Sequence, residues 1–274
     1  MPYVSTRIGR WFYEERGGAG AGPAIVCLHG LLFDGGMWRN QLGPLAALGR
    51  VIVFDGPGHG KSEVPPLFTL GEHADALADA LAELGVDASV LVGLSWGGML
   101  AMRFAVRHAT NTRGLALLDT SAERELPALR ARFRAFATFH QYVGMPYSLY
   151  EREIAPRMFC RRTRERAPDL VSQTGRTLLG FNRRGVARAA MAVAVNRTDV
   201  LGSLPQISCP TLVLCGRDDR STPVAKNENI ASRIPGARFV VIEGAGHMTP
   251  LEQPDAVNAQ LLPFIEGALT DARA

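Results

Sequence analysis

Gly93-Leu94-Ser95-Trp96-Gly97 sets a serine between an apolar run, Val90-Leu91-Val92, and a helix-like stretch that begins at Gly98. The pattern reads as strand, tight turn and helix, with the hydroxyl at the apex. The glycines remove Cβ atoms that would clash in so sharp a bend, and the bend lifts the serine beside the positive end of the helix. A serine hydroxyl alone is a weak nucleophile. Acyl transfer by Ser95 therefore requires a base, an acid that orients it, and donors for an oxyanion.

The base is expected on a loop after the last strand, where Gly244-Ala245-Gly246-His247-Met248 stands. The small residues before His247 suit a flexible loop from which an imidazole reaches Ser95. Of the other histidines, His73 and His108 fall on helices, His140 lies in a helical insertion, His59 sits in a glycine-rich turn, and His29 orients the backbone after a strand. The acid should fix the imidazole tautomer and stabilise the imidazolium. Gly216-Arg217-Asp218-Asp219 follows a strand-like run, and Asp219 is chosen over Asp218, with Asp119 at another strand end as the spare candidate. His29-Gly30-Leu31 closes a further strand as an oxyanion loop would. The backbone N–H groups of Leu31 and Trp96 are the expected pair of donors. A lone Gly-x-Ser-x-Gly recurs by chance, so the weight rests on His29-Gly30, Ser95, Asp219 and His247 appearing in that order, each at a strand end.

The positioning elements follow from hydrophobic pattern. Short apolar runs at 24–28, 51–54, 89–92, 115–118, 211–215 and 238–242 read as parallel strands buried on both faces. Residues 3–8 and 11–15 read as an edge hairpin. Amphipathic segments near 36–47, 70–85, 97–109, 224–233 and 254–268 alternate with the strands, which implies a doubly wound sheet with ligands at the carboxyl ends of its strands. The alternation stops between 122 and 200, where the pattern is helical. This divides the chain into a core, 1–121 and 201–274, and a helical lid, 122–200. The lid carries fifteen arginines and no lysine against seven Asp plus Glu, an excess of eight. The whole chain is +4, so the core is −4.

The 274 residues, 47% of them hydrophobic, suit one α/β domain with an insertion. The modest charge, with no basic run interleaved with aromatics, gives no support for nucleic-acid binding. No apolar leader or run of membrane-spanning length occurs, so no membrane association is expected. The four cysteines, Cys27, Cys160, Cys209 and Cys215, show no metal-ligand spacing. They read as reduced structural thiols of a cytoplasmic protein.

These motifs, together with Asp55-Gly56-Pro57-Gly58-His59-Gly60-Lys61-Ser62, resemble the α/β-hydrolase fold family over nearly the whole chain. The resemblance implies a mostly parallel eight-stranded sheet flanked by helices, with an inserted helical lid. It also implies the triad order Ser95, Asp219, His247, since the family's acid ends a Gly-x-x-Asp pattern. The 55–62 segment corresponds to the family's turn after the fourth strand, which shapes the pocket. Within the fold, the chain is similar to 3-oxoadipate enol-lactonases and cofactor-free haloperoxidase-like esterases. Dehalogenases and epoxide hydrolases of this fold carry aspartate where Ser95 stands, and Leu32 replaces the proline of the epoxide hydrolases' His-Gly-x-Pro.

The function expected is hydrolysis of a small-molecule carboxylic ester or lactone through an acyl-enzyme, with no metal or organic cofactor. The lid arginines either pair with a substrate carboxylate or coat solvent-facing helices, the second being the simpler reading. Phe133, Phe136, Phe139, Tyr142, Met145 and Tyr147 would serve an apolar acyl or alcohol group, or pack the lid onto the core. Other outcomes on the same fold are a perhydrolase or haloperoxidase, a carbon–carbon hydrolase, dioxygenase or lyase, and a non-catalytic ligand receptor. Homo-oligomer formation is left open.

Overall fold

The apolar runs pair into a single sheet in the computed structural model, which describes residues 2–18 and 22–270. The strands are β1 (Tyr3–Thr6), β2 (Gly9–Arg16), β3 (Ala24–Leu28), β4 (Val51–Phe54), β5 (Ser89–Leu94), β6 (Thr112–Leu118), β7 (Thr211–Gly216) and β8 (Arg238–Ile242). Their spatial order is β1-β2-β4-β3-β5-β6-β7-β8. β1 and β2 are antiparallel to their neighbours, and β4 to β8 and β3 run parallel. Every residue of β3, β4, β5 and β7 is buried, as continuous apolar runs covered on both faces require. The strands outrun the apolar runs, however. β5 continues through Gly93 and Leu94, and β6 begins at Thr112, because ladder hydrogen bonds persist where side chains no longer advertise burial.

Four helices alternate with the strands of the amino-terminal half and enter the insertion: α1 (Arg39–Ala46), α2 (Leu70–Glu83), α3 (Trp96–Arg107) and α4 (Pro127–Tyr142). The start of α2 is set locally. Thr69 Oγ1 accepts from the Glu72 N–H while the Glu72 carboxylate accepts from the Thr69 N–H, satisfying two N-terminal donors at once. From there Leu70, Ala74, Leu77 and Leu81 bury one stripe. Between β6 and β7 no strand occurs among the described residues. Following α4 come α5 (Tyr147–Leu149), α6 (Ala155–Met158), α7 (Arg161–Arg166), α8 (Pro168–Gly180) and α9 (Arg183–Ala190). The core is completed by α10 (Val224–Ala231), α11 (Thr249–Glu252) and α12 (Pro254–Thr270). Of the large apolar side chains expected to line or pack the insertion, Met145 is buried and Phe136 and Tyr147 are half-buried. Phe133, Phe139 and Tyr142 remain exposed along α4 and do not pack the insertion onto the sheet.

Candidate active site

Ser95 occupies the turn between β5 and α3 with φ +52° and ψ −108°, a left-handed-side conformation unusual for a residue with a Cβ. Such a geometry costs about 1–3 kcal/mol and persists only where the surroundings over-determine it. Here they do. The Ser95 N–H donates to Leu118 O at the end of β6 (2.8 Å), the Gly97 N–H donates to His29 O after β3 (3.1 Å), and the Thr120 hydroxyl donates to Ser95 O (2.7 Å). The turn is pressed so closely onto β3 that a Cβ on Gly97 would stand 2.1 Å from Leu28 O. The glycine is therefore a requirement of packing.

Asp219 and His247, 28 residues apart, meet after β7 and β8. His247 Nδ1 donates to Asp219 Oδ2 at 2.8 Å, with both side chains buried. The other carboxylate oxygen, Oδ1, accepts the N–H groups of Ser221 (2.7 Å) and Thr222 (3.0 Å), while the Thr222 hydroxyl donates to Oδ2 (2.7 Å). Burial pushes the Asp219 carboxyl up, but attraction to His247, the hydrogen bond between them and the Thr222 bonds outweigh it, and its pKa lies below the ordinary value. For His247, burial acts downward, and Asp219, with lesser help from Asp119 and Glu252, lifts the imidazole above its ordinary value. With the carboxylate accepting at Nδ1, the other ring nitrogen, Nε2, is left unprotonated in the neutral imidazole and free to accept a proton.

The loop bearing His247 is clamped rather than flexible. Glu252 accepts from the N–H groups of Gly246 (2.8 Å) and Met248 (3.2 Å) on either side of the histidine, and its second oxygen accepts from Cys160 N–H (2.8 Å). The His247 N–H itself donates to Met158 O (2.9 Å). Asp218 is not on the histidine. Asp119, fully buried with φ +48°, accepts from the Gly216 N–H (2.8 Å) and from the Thr249 hydroxyl, so it ties the end of β7 to the loop after His247. Burial, and then the Asp219 charge, hold its carboxyl well above the usual range.

The 29–33 loop is fixed by two histidines serving as tautomer-locked clamps. His29 Nδ1 donates to Gly30 O (2.7 Å) and its Nε2 accepts from the Gly56 N–H (2.7 Å). His59 Nδ1 donates to Pro57 O (3.2 Å) and its Nε2 accepts from the Leu32 N–H (3.2 Å). Burial keeps both neutral, lowering His29 and pushing His59 down to about 3. Trp96 opens α3, so its N–H has no acceptor within the helix. Among the described residues no group accepts from the Leu31 N–H either.

A buried polar chain links the serine turn to the acid–base pair. Thr120, whose hydroxyl holds Ser95 O, donates its N–H to Asn227 Oδ1 (2.9 Å), and Asn227 Nδ2 donates to Thr222 O (2.8 Å), next to Asp219. Asn227 is wholly buried on α10. Sequence reading missed Thr222, Asn227 and Thr120. Two signals were available: a threonine three residues after an aspartate, and an asparagine on the apolar side of a helix, one turn from Ile230. Among the described residues, no group of three or more side chains is placed to hold a metal ion, and no helix is long and apolar enough to cross a membrane.

A serine on a strand–helix turn, an aspartate–histidine pair and a clamped loop after β3, arranged on this sheet, define the α/β-hydrolase class. The chain belongs to the alpha/beta hydrolase family, whose profile matches residues 25–260. It is 27% identical to 3-oxoadipate enol-lactonase 1 of Acinetobacter baylyi over 92% of each chain. It is 29% identical to the pimeloyl-[acyl-carrier protein] methyl ester esterase of Neisseria meningitidis, over 89% of this chain and 93% of that one. Among solved structures, a thermophilic esterase from Thermogutta terrifontis, solved with malate bound, superposes with a TM-score of 0.90 at 33% identity, covering 98% of both chains.

Proposed function

We propose that this hydrolase cleaves a carboxylic ester or lactone of a small molecule through an acyl-enzyme on Ser95. His247 Nε2 takes the hydroxyl proton as Ser95 Oγ bonds to the carbonyl carbon. The N–H groups of Leu31 and Trp96 receive the oxyanion, and the tetrahedral adduct collapses as the alkoxide leaves with the proton from His247. Water, deprotonated by the same imidazole, then releases the acid and restores Ser95. No cofactor enters this sequence. The 122–200 insertion is assigned as the lid over the site.

The observation that carries the reading is the buried 2.8 Å bond from His247 Nδ1 to Asp219 Oδ2, which sets the tautomer a general base requires. The positive φ of Ser95 and the names of the lactonase and esterase relatives support it. The test is turnover of p-nitrophenyl acetate. Ser95→Ala should abolish it, and unchanged turnover would refute the acyl-enzyme route. An enzyme that instead abstracts a substrate proton with His247 would survive Ser95→Ala better than His247→Ala.

A further inference from the structure

Four of the insertion's arginines border a space that Ser95 does not. A cleft of about 610 Å³ opens between α7 and the loop after β7. Four arginines of α7 (161, 162, 164 and 166) line it, together with Arg217 and Arg220 from the loop. Neither Ser95, Leu31, Trp96 nor His247 is among its walls; Asp219 alone is common to the cleft and the acid–base pair.

We propose that this cleft binds a small polyanion carrying phosphate or carboxylate groups, bridging α7 to the loop that bears Asp219. Two of the six guanidinium groups are already paired at the rim, Arg161 with Glu165 (2.6 Å) and Arg217 with Glu243 (2.7 Å). The guanidinium groups of Arg162, Arg164, Arg166 and Arg220 make no ion pair or hydrogen bond with a described residue. The Arg164 Nε is buried and lacks an acceptor, which leaves a desolvated donor at the wall of the cleft. The acids on the walls are Glu165, Asp218 and Asp219; Glu165 is bonded to Arg161 while also attracting Arg164 and Arg166, and Asp219 is committed to His247, Ser221 and Thr222. Guanidinium groups from two chain segments thus border one space, and one of them, Arg164, is held back from full solvation. Guanidinium forks match the paired oxygens of carboxylate and phosphate. The volume exceeds what one inorganic anion fills and lies in the range of small-ligand sites. The solvated-face reading accounts for Arg161 and Arg217, which hold surface partners, and for the exposed Arg162, Arg166 and Arg220, and leaves the buried Arg164 Nε unexplained.

The test uses the full chain at about 0.15 M salt, with inorganic pyrophosphate and citrate as probes, read by titration calorimetry and by thermal shift. One-site saturable binding with a rise in Tm is expected. Arg166→Gln and Arg220→Gln should each weaken it roughly tenfold, and the double variant further. Arg124→Gln, an exposed insertion arginine outside the cleft, should leave it unchanged, and so should Ser95→Ala, which separates this site from the proposed chemistry. Tighter pyrophosphate assigns phosphate as the anchoring group, and tighter citrate assigns carboxylate. No saturable binding of either probe in the millimolar range would overturn the proposal. An equal loss in Arg124→Gln would overturn it too, since the attraction would then belong to the whole surface.

Discussion

Replacing Asp219 with asparagine changes one atom and should remove most of the activity, for a reason fixed by the neighbours of the carboxylate. Oδ1 accepts two backbone N–H groups, from Ser221 and Thr222, so only an oxygen is tolerated there. The amide NH2 must then occupy the Oδ2 position and point at His247 Nδ1, 2.8 Å away. An amide donor at Nδ1 selects the tautomer protonated at Nε2, which cannot take a proton from Ser95. Recovering the working tautomer means giving up that buried hydrogen bond, at about 1–3 kcal/mol. The imidazolium also loses its charge-assisted bond to the carboxylate, worth about 1.5–3 kcal/mol. The sum, about 3–6 kcal/mol, corresponds to a loss of roughly a hundred- to ten-thousand-fold. The assay is steady-state hydrolysis of p-nitrophenyl acetate, with the fall expected in kcat and KM little altered. Asp119→Asn serves as the control, because that carboxyl ties β7 to Thr249 without touching His247, and turnover should stay within a few-fold of wild type. A loss smaller than about tenfold in Asp219→Asn, or a larger loss in Asp119→Asn, would refute the tautomer argument.

Thr222→Val keeps the shape of the side chain and removes the hydroxyl that donates to Asp219 Oδ2, so kcat should fall roughly tenfold with KM nearly constant. Gly97→Ala places a Cβ against Leu28 O, a backbone atom that cannot swing aside, and urea unfolding should show a loss of about 3 kcal/mol or more. For an uncharged ester, kcat/KM should rise with pH as His247 loses its proton. The imidazole is held above its ordinary value, so the midpoint should lie above about 6.5, and a lower midpoint would contradict the Asp219–His247 pairing.

The parts legible in the sequence were those written in contiguous residues. Continuous apolar runs marked the six parallel strands, and Gly93–Gly97 marked the turn that strains Ser95. Asp219 and His247 could be located because each follows such a run directly. What escaped were residues whose role exists only after distant segments meet. Asp119, weighed as a spare acid, instead joins β6, β7 and the His247 loop through bonds to partners 97 and 130 positions away. Asn227 holds Thr120, 107 residues away, and links it to Thr222, and no local pattern encodes that. The arginines of the insertion also divide in a way composition does not disclose. Arg197 is buried against Glu125 (2.7 Å), whereas Arg161 holds Glu165 one turn along an exposed helix. A side-chain type fixes the charge, and only the fold decides where water is excluded from it.

The proposed reaction passes through a covalent bond to one atom, Ser95 Oγ. Rapid-quench mass spectrometry of the enzyme during turnover of p-nitrophenyl acetate, followed by peptide mapping, looks for that bond directly. The prediction is an acetyl group on the peptide containing Ser95, forming with the burst of p-nitrophenol and absent from Ser95→Ala. Sustained turnover with no acyl group on Ser95, or with the adduct on another residue, would contradict it.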